Sequence, residues 1–455
     1  MANNDSLHPG VAYRVILCRY NEIGLKALPY QAKIFQFFLA SIKTICARER
    51  LHLQSALELR GRLIFFFPSE EIPKALIVFR HIIGLQSISP AISVPRKFHQ
   101  LERGFLAFAQ AVVKPEDILY LTYRTVVPYP KSEAEVITTL FKSLAQTLPH
   151  KIHTARHKKE ATRFLTIEMR EKGTYIYCKT FPTIWGGFPI ESKNTFLCPI
   201  TSNEQNWKLE QLAAQFLVRR GSIVCPVLLG MEPFQADHER VPVLRELAQY
   251  YSSPLPVFHL NLSPLVAYLH QKVQSSGDVG WYFLVGVFTL LNRIIRISRD
   301  RTPYRYGDRK LHFKGVVNAF SLRDTALMKV LENFAFLSLS PLTSLQPSSV
   351  ASIIEQIPDL SLHASFQALV ASTLSHPKEA SLPSNDSELT PEESTPSYFS
   401  QFMGSFFSSE IIQSLSAHSP PFREMSEFFA DPPSQQIFAE IEHTLQIISV
   451  AGKIL

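Results

Sequence analysis

The sequence predicts a multidomain α/β chain: a ferredoxin-like α+β domain, a second α/β domain, and a Rossmann-like domain built on a parallel sheet. Three observations carry that reading. The N-terminal stretch runs strand and helix patterns in the order βαββαβ, which folds as a small open sheet with both helices on one face. Beyond Gly221, strands of continuous apolar character alternate with helices, which implies a parallel sheet covered on both faces. A chain of 455 residues is also too long for one core, so roughly two to four domains are expected.

Taken in order, Val11 to Leu17 reads as a β-branched apolar strand and Arg19 to Lys26 (RYNEIGLK) as a loop. Pro29 opens a predicted helix whose apolar residues Ile34, Phe37, Phe38, Ile42 and Ile45 follow a helical period. Leu57 to Leu59 and Arg62 to Phe67 pair across a turn at Gly61, with Arg60 and Arg62 offering either a basic face or a solvated hairpin tip. Glu70 to Ile83 reads as a second helix stopped at Gly84, and Ser87 to Val94 returns as a strand. The next segment predicts a helix over Phe98 to Val113, a strand over Ile118 to Arg124 and a helix over Lys131 to Leu148. Ser132 to Glu135 has the spacing of a capping box for that last helix. Arg163 to Glu168 and Thr174 to Cys178 then form a hairpin turning at Gly173.

The stretch from Gly186 to Gly221 begins GGFP and continues as a short buried strand, Asn194 to Ile200, a polar loop, Thr201 to Asn206, and a helix ending at Arg219-Arg220-Gly221. Strand, loop and helix in that order form a nucleotide-binding unit when the loop holds phosphate at the helix N-terminus. Yet no glycine occurs from Glu191 to Arg220. The alternation continues with strands over Ile223 to Leu229 and Leu255 to Leu260, and helices over Val241 to Tyr251, Ser263 to Gln274 and Asp278 to Arg296. From about His376 to Thr395 the composition shifts to Ser, Pro and Glu, a linker. The Phe-rich helical pieces Tyr398 to Leu415 and Ser434 to Ile448 suit packing or a partner protein's surface. Domain boundaries therefore read 1–95, 96–185, 186–375 and a C-terminal extension over 376–455.

Composition narrows the function classes. A hydrophobic share of 46% with 19% charged residues describes a folded chain, and a net charge of +7 favours a polyanionic partner. Five scattered cysteines (Cys18, Cys46, Cys178, Cys198, Cys225) without a C-x-x-C pair argue against a zinc site or a disulfide scaffold and fit a reducing cytoplasm. MANNDSLHPG lacks the features of a signal peptide, and the apolar run Trp281 to Leu291 is too short to span a bilayer, so no membrane role is expected. His153 and His157 have no carboxylate or cysteine at metal spacing, Cys198 reads as a core residue, and Glu70-Glu71 and Glu392-Glu393 as surface charge.

Two basic stretches stand out. Arg156, Lys158, Lys159 and Arg163 follow His153, and Arg301, Arg305, Arg309 and Lys310 lie in a run from Arg293 to Lys314 interleaved with Tyr304, Tyr306 and His312. Cations mixed with rings suit RNA backbone and unstacked bases, whereas the same residues on a wet helix face would be merely solvated.

Several of these patterns together resemble the tRNA 4-thiouridine synthases, or tRNA sulfurtransferases. Arg19 to Lys26 looks like that family's R-Y-x-E-I-x-L-K signature, and Phe79 to Leu85 with Ser89-Pro90 like its F-G-I-x-x-x-S-P stretch. Arg170 to Tyr177 and Gly186 to Ile190 resemble the end of its THUMP domain and the Gly-Gly-Leu-Pro-Val start of its catalytic domain. Ala213 to Gly221, Ser340-Pro341-Leu342 and Ile353-Ile354 follow in the family's order. The resemblance spans about residues 11–360. It implies a ferredoxin-like domain, a THUMP domain that binds the tRNA acceptor end, and a PP-loop ATP pyrophosphatase domain that adenylates uridine before sulfur transfer.

The departures matter as much. The family's PP-loop, S-G-G-x-D-S, aligns with Gln205, Asn206, Trp207, Lys208, Leu209 and Glu210, where no glycine or serine survives to cradle a phosphate. The later T-G-E-S-L-G-Q stretch becomes Lys314 to Phe320 and keeps one glycine, Gly315. The family's catalytic cysteine has no counterpart after Cys225, and of its basic THUMP strand only Arg124 keeps its charge. Three readings follow. One is a protein that binds tRNA or other structured RNA through Arg124 and the basic stretches, with a degenerate nucleotide loop and no cofactor. Another is an active sulfurtransferase using ATP and Mg through a variant loop, and the third is a protein-interaction scaffold.

Overall fold

The computed structural model describes residues 7–20, 22–190, 194–201, 204–232, 241–300, 304–306, 309–319, 325–341, 402–403, 406–407, 420–443 and 445–450. The chain forms two compact units, one up to Pro189 and one from Ile190.

The first unit opens with β1 (Val15–Arg19), α1 (Leu28–Arg48), β2 (Ser55–Leu59), β3 (Arg62–Phe66), α2 (Ile72–Arg80) and β4 (Ser87–Val94). This is the βαββαβ order expected. β1 starts later than its apolar run because Val11 turns back to the carbonyl of His8. Pro29 sits in the first turn of α1, where its missing N–H costs nothing. α2 tightens over His81 and Ile82, which donate to Val78 and Phe79, before the chain turns at Gly84 with φ of 100°. Next come α3 (Phe98–Val112), β5 (Ile118–Thr125), α4 (Glu133–Thr147), β6 (His153–Thr154), β7 (Arg163–Arg170), β8 (Gly173–Tyr177) and β9 (Phe181–Pro182). The capping box on α4 is formed: Ser132 Oγ accepts the Glu135 N–H, and Glu135 accepts the Ser132 N–H at 2.7 Å.

These strands make one sheet in the order β2-β3-β1-β4-β8-β7-β5-β6, with β9 beside β4. β4 joins the two halves. Its residues Ser87 to Ala91 pair antiparallel with β1, and Ile92 to Val94 pair antiparallel with β8. All four helices lie on one face. Ile34 and Phe38 of α1, Phe79 of α2, Phe105 of α3 and Leu140 of α4 share a core with Ile16, Cys18, Leu165 and Ile176. Strand parity then sends alternate residues to the opposite face, where Val15 and Leu17 cluster with Ile64, Ala91, Tyr175 and Tyr177.

The second unit contains β10 (Thr195–Ile200), α5 (Glu204–Arg219), β11 (Ile223–Gly230), α6 (Val241–Ala248), β12 (Leu255–Asn261), α7 (Ser263–Lys272) and α8 (Ser276–Asp300). It continues with β13 (Arg305–Tyr306), β14 (Arg309–Lys310), β15 (Phe313–Val317), α9 (Thr325–Leu331), β16 (Leu337–Leu339), α10 (Phe422–Phe428), α11 (Pro432–His443) and β17 (Gln446–Val450). The sheet order is β16-β15-β10-β11-β12-β17. The first five strands are parallel and β17 is antiparallel to β12. Every residue of β10 and β11 is buried, as uninterrupted apolar runs require in a sheet covered on both faces.

In the second unit, α8 and the C-terminal segment differ from expectation. α8 runs longer than predicted. Among the described residues it is the one helix long and apolar enough to cross a membrane, yet 78% of its apolar window is buried inside the protein. The C-terminal segment, predicted helical through Ile448, breaks after His443 into β17, which completes a sheet edge. Around it, Phe429 packs on Phe438 and Tyr282, and Ser434 Oγ donates to Tyr268 OH at 3.0 Å. The described part of that segment is thus packing, which was one of its two expected roles. The stretches 342–401 and 451–455 fall outside the described residues, and with them Ile353-Ile354 and the Ser, Pro and Glu linker.

Two glycines are demanded by close packing. A Cβ on Gly315 would lie 1.8 Å from the Leu337 carbonyl oxygen across the β15–β16 pair. At Gly84 a Cβ would meet Pro189 at 2.8 Å and Phe38 at 3.0 Å, and its N–H donates to the Gly186 carbonyl at 2.7 Å. Gly84→Ala is therefore expected to destabilise the first unit by about 2–4 kcal/mol, adding left-handed strain to overpacking, which a denaturant titration of a fragment or of the full chain would read.

Candidate nucleic-acid interface and nucleotide crevice

On the helix-free face of the first sheet, side chains from six strands converge. Arg19 ends β1, opposite Ser87 of β4. Glu168 of β7 lies opposite Tyr175 of β8 and opposite Arg124 of β5, and Thr166 opposite Tyr177 and Thr122. Arg62, at the start of β3, and Arg170, at the end of β7, reach the same place: Arg62 Nε lies 2.8 Å from Glu168 Oε1, and Arg170 Nε donates to that oxygen at 2.8 Å. Tyr177 OH donates to Glu168 Oε2 at 3.2 Å and accepts from Arg19 at 2.6 Å. The other arm of Arg19 donates to Ser89 Oγ at 3.0 Å and, more weakly, to Ser87 Oγ at 3.4 Å.

Glu168 is fully buried. Burial alone would raise its pKa, but Arg62 and Arg170 outweigh burial and hold the carboxyl below its ordinary range. One carboxylate facing two guanidinium groups leaves the face with surplus positive charge. Beside this network lies a groove of about 760 Å³, lined by Arg19, Ser87, Thr122, Arg124, Lys158 and Tyr177 among others, and no described residue lining it is acidic. Three cations with hydroxyl donors and ring edges form an anion-accepting surface of the kind that suits a phosphodiester chain.

The sequence-predicted cations divide between the two units. Arg124 and Lys158 are exposed and line the groove, and Lys158 Nζ sits 5.8 Å from the Phe164 ring centre. Arg156 and Lys159 are exposed on the same turn, whose backbone is held by Glu160. Arg163 is engaged instead: its Nε pairs with Asp117 at 3.0 Å, so its charge is spent inside the fold. In the second unit Arg305 and Lys310 are exposed on the β13–β14 hairpin; only the backbone of Arg309 is described, and Arg301 lies outside the described residues. Arg293 pairs with Glu442 and donates to Gln435 at 2.9 Å, which removes it from the basic run. Arg19, Ser87, Thr122 and Tyr177 were not singled out from sequence. Arg19 and Tyr177 did carry a signal, as the first residue of the RYNEIGLK motif and the last of the Arg170 to Tyr177 stretch.

The second unit's sheet has a switch point. The chain leaves β10 for β11 on one side and returns to β15 on the other, and in such sheets ligands bind where the carboxyl ends of those strands diverge. Here the lip of β10 is already engaged. Buried Thr201 donates its N–H to Glu210 Oε2 at 2.9 Å, and the Glu210 carbonyl accepts from Cys198 Sγ at 3.5 Å. On the β15 side, Asn318 donates to Ser338 Oγ at 3.1 Å and accepts from Ser340 Oγ at 2.7 Å. Gln205 to Glu210 are not loop residues: α5 begins at Glu204, because no glycine or proline interrupts the segment and Trp207, Leu209 and Glu210 are buried on its inner side. Of Gln205, Asn206 and Lys208 only the backbone is described. Burial pushes the Cys198 thiol up, and the Glu210 carboxylate pushes it further, so it is held as an unreactive thiol. Among the described residues no cluster of His, Cys, Asp and Glu is placed to hold a metal.

The exposed cations Arg305, Lys310 and Lys314 lie elsewhere on this unit, with His312 among them. Lys314 reaches the Asn194 side chain and Thr195 donates to the His312 carbonyl, which puts them at the amino ends of β10 and β15. That end is opposite the crevice.

No family model matches the chain. A solved 4-thiouridine synthetase, in complex with RNA and with bound ATP, superposes with a TM-score of 0.68 at 15% identity, covering 96% of this chain and all of that one. A protein of Pyrococcus horikoshii superposes at 0.56 with 21% identity over 76% of this chain and 99% of its own. In sequence, a probable tRNA sulfurtransferase of Methanocaldococcus jannaschii is 20% identical over 377 residues, 81% of this chain and 94% of that protein. One from Halothermothrix orenii is 22% identical over 360 residues. The chain is a relative of the tRNA sulfurtransferases. Within this sulfurtransferase relative the RYNEIGLK motif has structural duties. Tyr20 OH accepts the Gly61 N–H at 2.9 Å and stacks edgewise on Phe35, Ile23 is buried, and Lys26 lies over the Phe188 ring at 5.8 Å.

Glu168→Gln is expected to cost about 3–5 kcal/mol, because two guanidinium groups lose their counter-charge. The pH dependence has a definite sign. A carboxyl whose folded pKa is depressed stabilises the fold fully above its ordinary value of 4.5, and that contribution is lost as the pH falls through the lower folded value. Wild-type chemical stability should therefore decline below that pH, and the Glu168→Gln variant should lack that part of the decline.

Proposed function

We propose that this protein binds tRNA or a closely similar structured RNA on the helix-free face of its first sheet, in the cytoplasm, and does not adenylate it. The observation that carries the reading is the groove in which Arg19, Arg124 and Lys158 meet without an opposing acid. The solved relative that superposes over nearly the whole chain is itself an RNA complex, which supports RNA over other polyanions.

The case against ATP chemistry rests on the crevice. A phosphate-binding loop works because glycines let several N–H groups point at one anion. This segment has no glycine, its first turns are helical, and the Thr201 N–H at the end of β10 is taken by a carboxylate. A phosphate approaching there meets the negative charge of Glu210 and the buried bulk of Trp207. Nor does the sequence hold a cysteine beyond Cys225 to carry sulfur, and Cys198 and Cys225 are buried thiols pushed above their ordinary range.

Two measurements test the proposal. A filter-binding titration of tRNA should show log K falling with log salt at a slope of roughly −2 to −4, as a few neutralised phosphates require, and absent or salt-independent binding would end the RNA reading. Arg124→Ala and Lys158→Ala should each reduce that slope by about one without changing the melting temperature. Saturating Mg-ATP should leave the melting temperature unmoved, whereas ligand at 100 times its Kd would stabilise by about 2.7 kcal/mol; a clear rise would restore the active-sulfurtransferase reading.

A further inference from the structure

We propose that Tyr177 is a positioning residue which, anchored by buried Glu168, fixes the Arg19 guanidinium at the wall of the groove so that it meets a backbone phosphate already oriented; this rests on the RNA reading above. The geometry runs in one direction. Arg62 and Arg170 immobilise the Glu168 carboxylate. The other carboxylate oxygen accepts the Tyr177 proton at 3.2 Å beside an Arg62 N–H at 3.2 Å, which leaves the phenol oxygen free to accept. Arg19 fills that acceptor at 2.6 Å. On its other side Ser89 Oγ takes a second Arg19 N–H at 3.0 Å and is itself held by Thr180 Oγ at 2.8 Å.

A free arginine on a surface gives up side-chain entropy when it grips a phosphate. Here three neutral hydroxyls constrain Arg19 without neutralising it, because none of them carries charge. The carboxylate that anchors the chain is already balanced by two other arginines, so it does not cancel Arg19 either. Arg124 and Lys158, the other two cations of the groove, lack such a scaffold: both side chains are exposed, and the contact made by Lys158 is with a ring. The groove therefore combines one hydrogen-bonded, oriented cation with two exposed ones. That division separates two quantities usually measured together. All three cations contribute to the salt dependence, which counts charges, but only Arg19 owes part of its affinity to a neutral neighbour.

A double-mutant cycle of Tyr177→Phe and Arg19→Ala, read by tRNA binding across a salt series, tests the assignment. Tyr177→Phe keeps the ring in its apolar cluster and removes only the hydroxyl. It should weaken binding about five- to tenfold at every salt concentration, with the slope unchanged. Arg19→Ala should weaken binding and lower the slope by about one. In the Arg19→Ala background, Tyr177→Phe should have no further effect. Ser89→Ala, on the other arm of Arg19, should behave as Tyr177→Phe does and serves if that variant folds poorly. If wild-type protein binds RNA and Tyr177→Phe matches it, or weakens binding equally in both backgrounds, the positioning role is overturned and the RNA reading stands. If wild-type protein binds no RNA, both fall together.

Discussion

Strand β4 is the constraint on which the first unit depends. It bonds to β1 along Ser87 to Ala91 and to β8 along Ile92 to Val94, so two small α/β patterns become one sheet with all four helices on one side. A consequence is the width of the other face. Neither half alone would place Arg19 of β1, Tyr177 of β8, Glu168 of β7 and Arg124 of β5 side by side. The face needs an internal counter-charge, since Arg19, Arg62, Arg124 and Arg170 all lie on it, and Glu168 supplies one for the two most buried of them. A buried carboxylate with two guanidinium partners is a poor source of net stability against an apolar replacement, but removing it leaves two uncompensated cations. Its retention makes sense where the face must stay polar and positive.

The second unit is held by different physics. Parallel strands need both faces covered, and β10 and β11 meet that need with uninterrupted apolar residues while α8 supplies a long buried partner. None of this depends on glycine at the β10–α5 turn. The carboxylate of Glu210 satisfies the Thr201 N–H at the end of β10.

Much of the architecture was legible because its causes are local. Ser132 and Glu135 form the cap their spacing predicts, Ser87 to Val94 is a strand with the predicted ends, and the buried strands of the second unit read directly as apolar runs. What escaped has non-local causes. Arg163 looks like one more cation in a basic run, but its partner Asp117 lies 46 residues away. Arg293 is claimed by Glu442, 149 residues away. Tyr177 reads as an ordinary strand residue, and only the register of β7 against β8, together with the reach of Arg19 from β1, gives its hydroxyl two partners. The double role of β4 is of the same kind, since no pattern within eight residues reveals that each half has a different neighbour. The early start of α5 was hidden for another reason: polar residues after Thr201 resemble a loop until burial shows Trp207 and Glu210 on an inner helix face.

The motifs in which this chain resembles the family and those in which its sequence departs from it differ in one respect. Gly84 and Gly186 dock the connecting segment, Gly315 lets β16 approach β15, and Tyr20 and Ile23 hold the RYNEIGLK turn, so each has a duty in the fold. The glycines, serines and cysteine of the family pattern that do not occur at the matching positions of this sequence are of the kind that serve a ligand. Retention of the first group thus follows from stability alone and gives no support to any activity. Arg19 does not fit that explanation. Its guanidinium partners are hydroxyl groups and the Tyr177 ring, 5.4 Å away, it forms no ion pair among the described contacts, and an apolar residue in its place would continue the Val15 and Leu17 side of β1. Half-burying an arginine without a counter-ion works against folding unless its charge is needed. Arg19 is thus a motif residue whose presence packing alone does not account for, and it lines the groove.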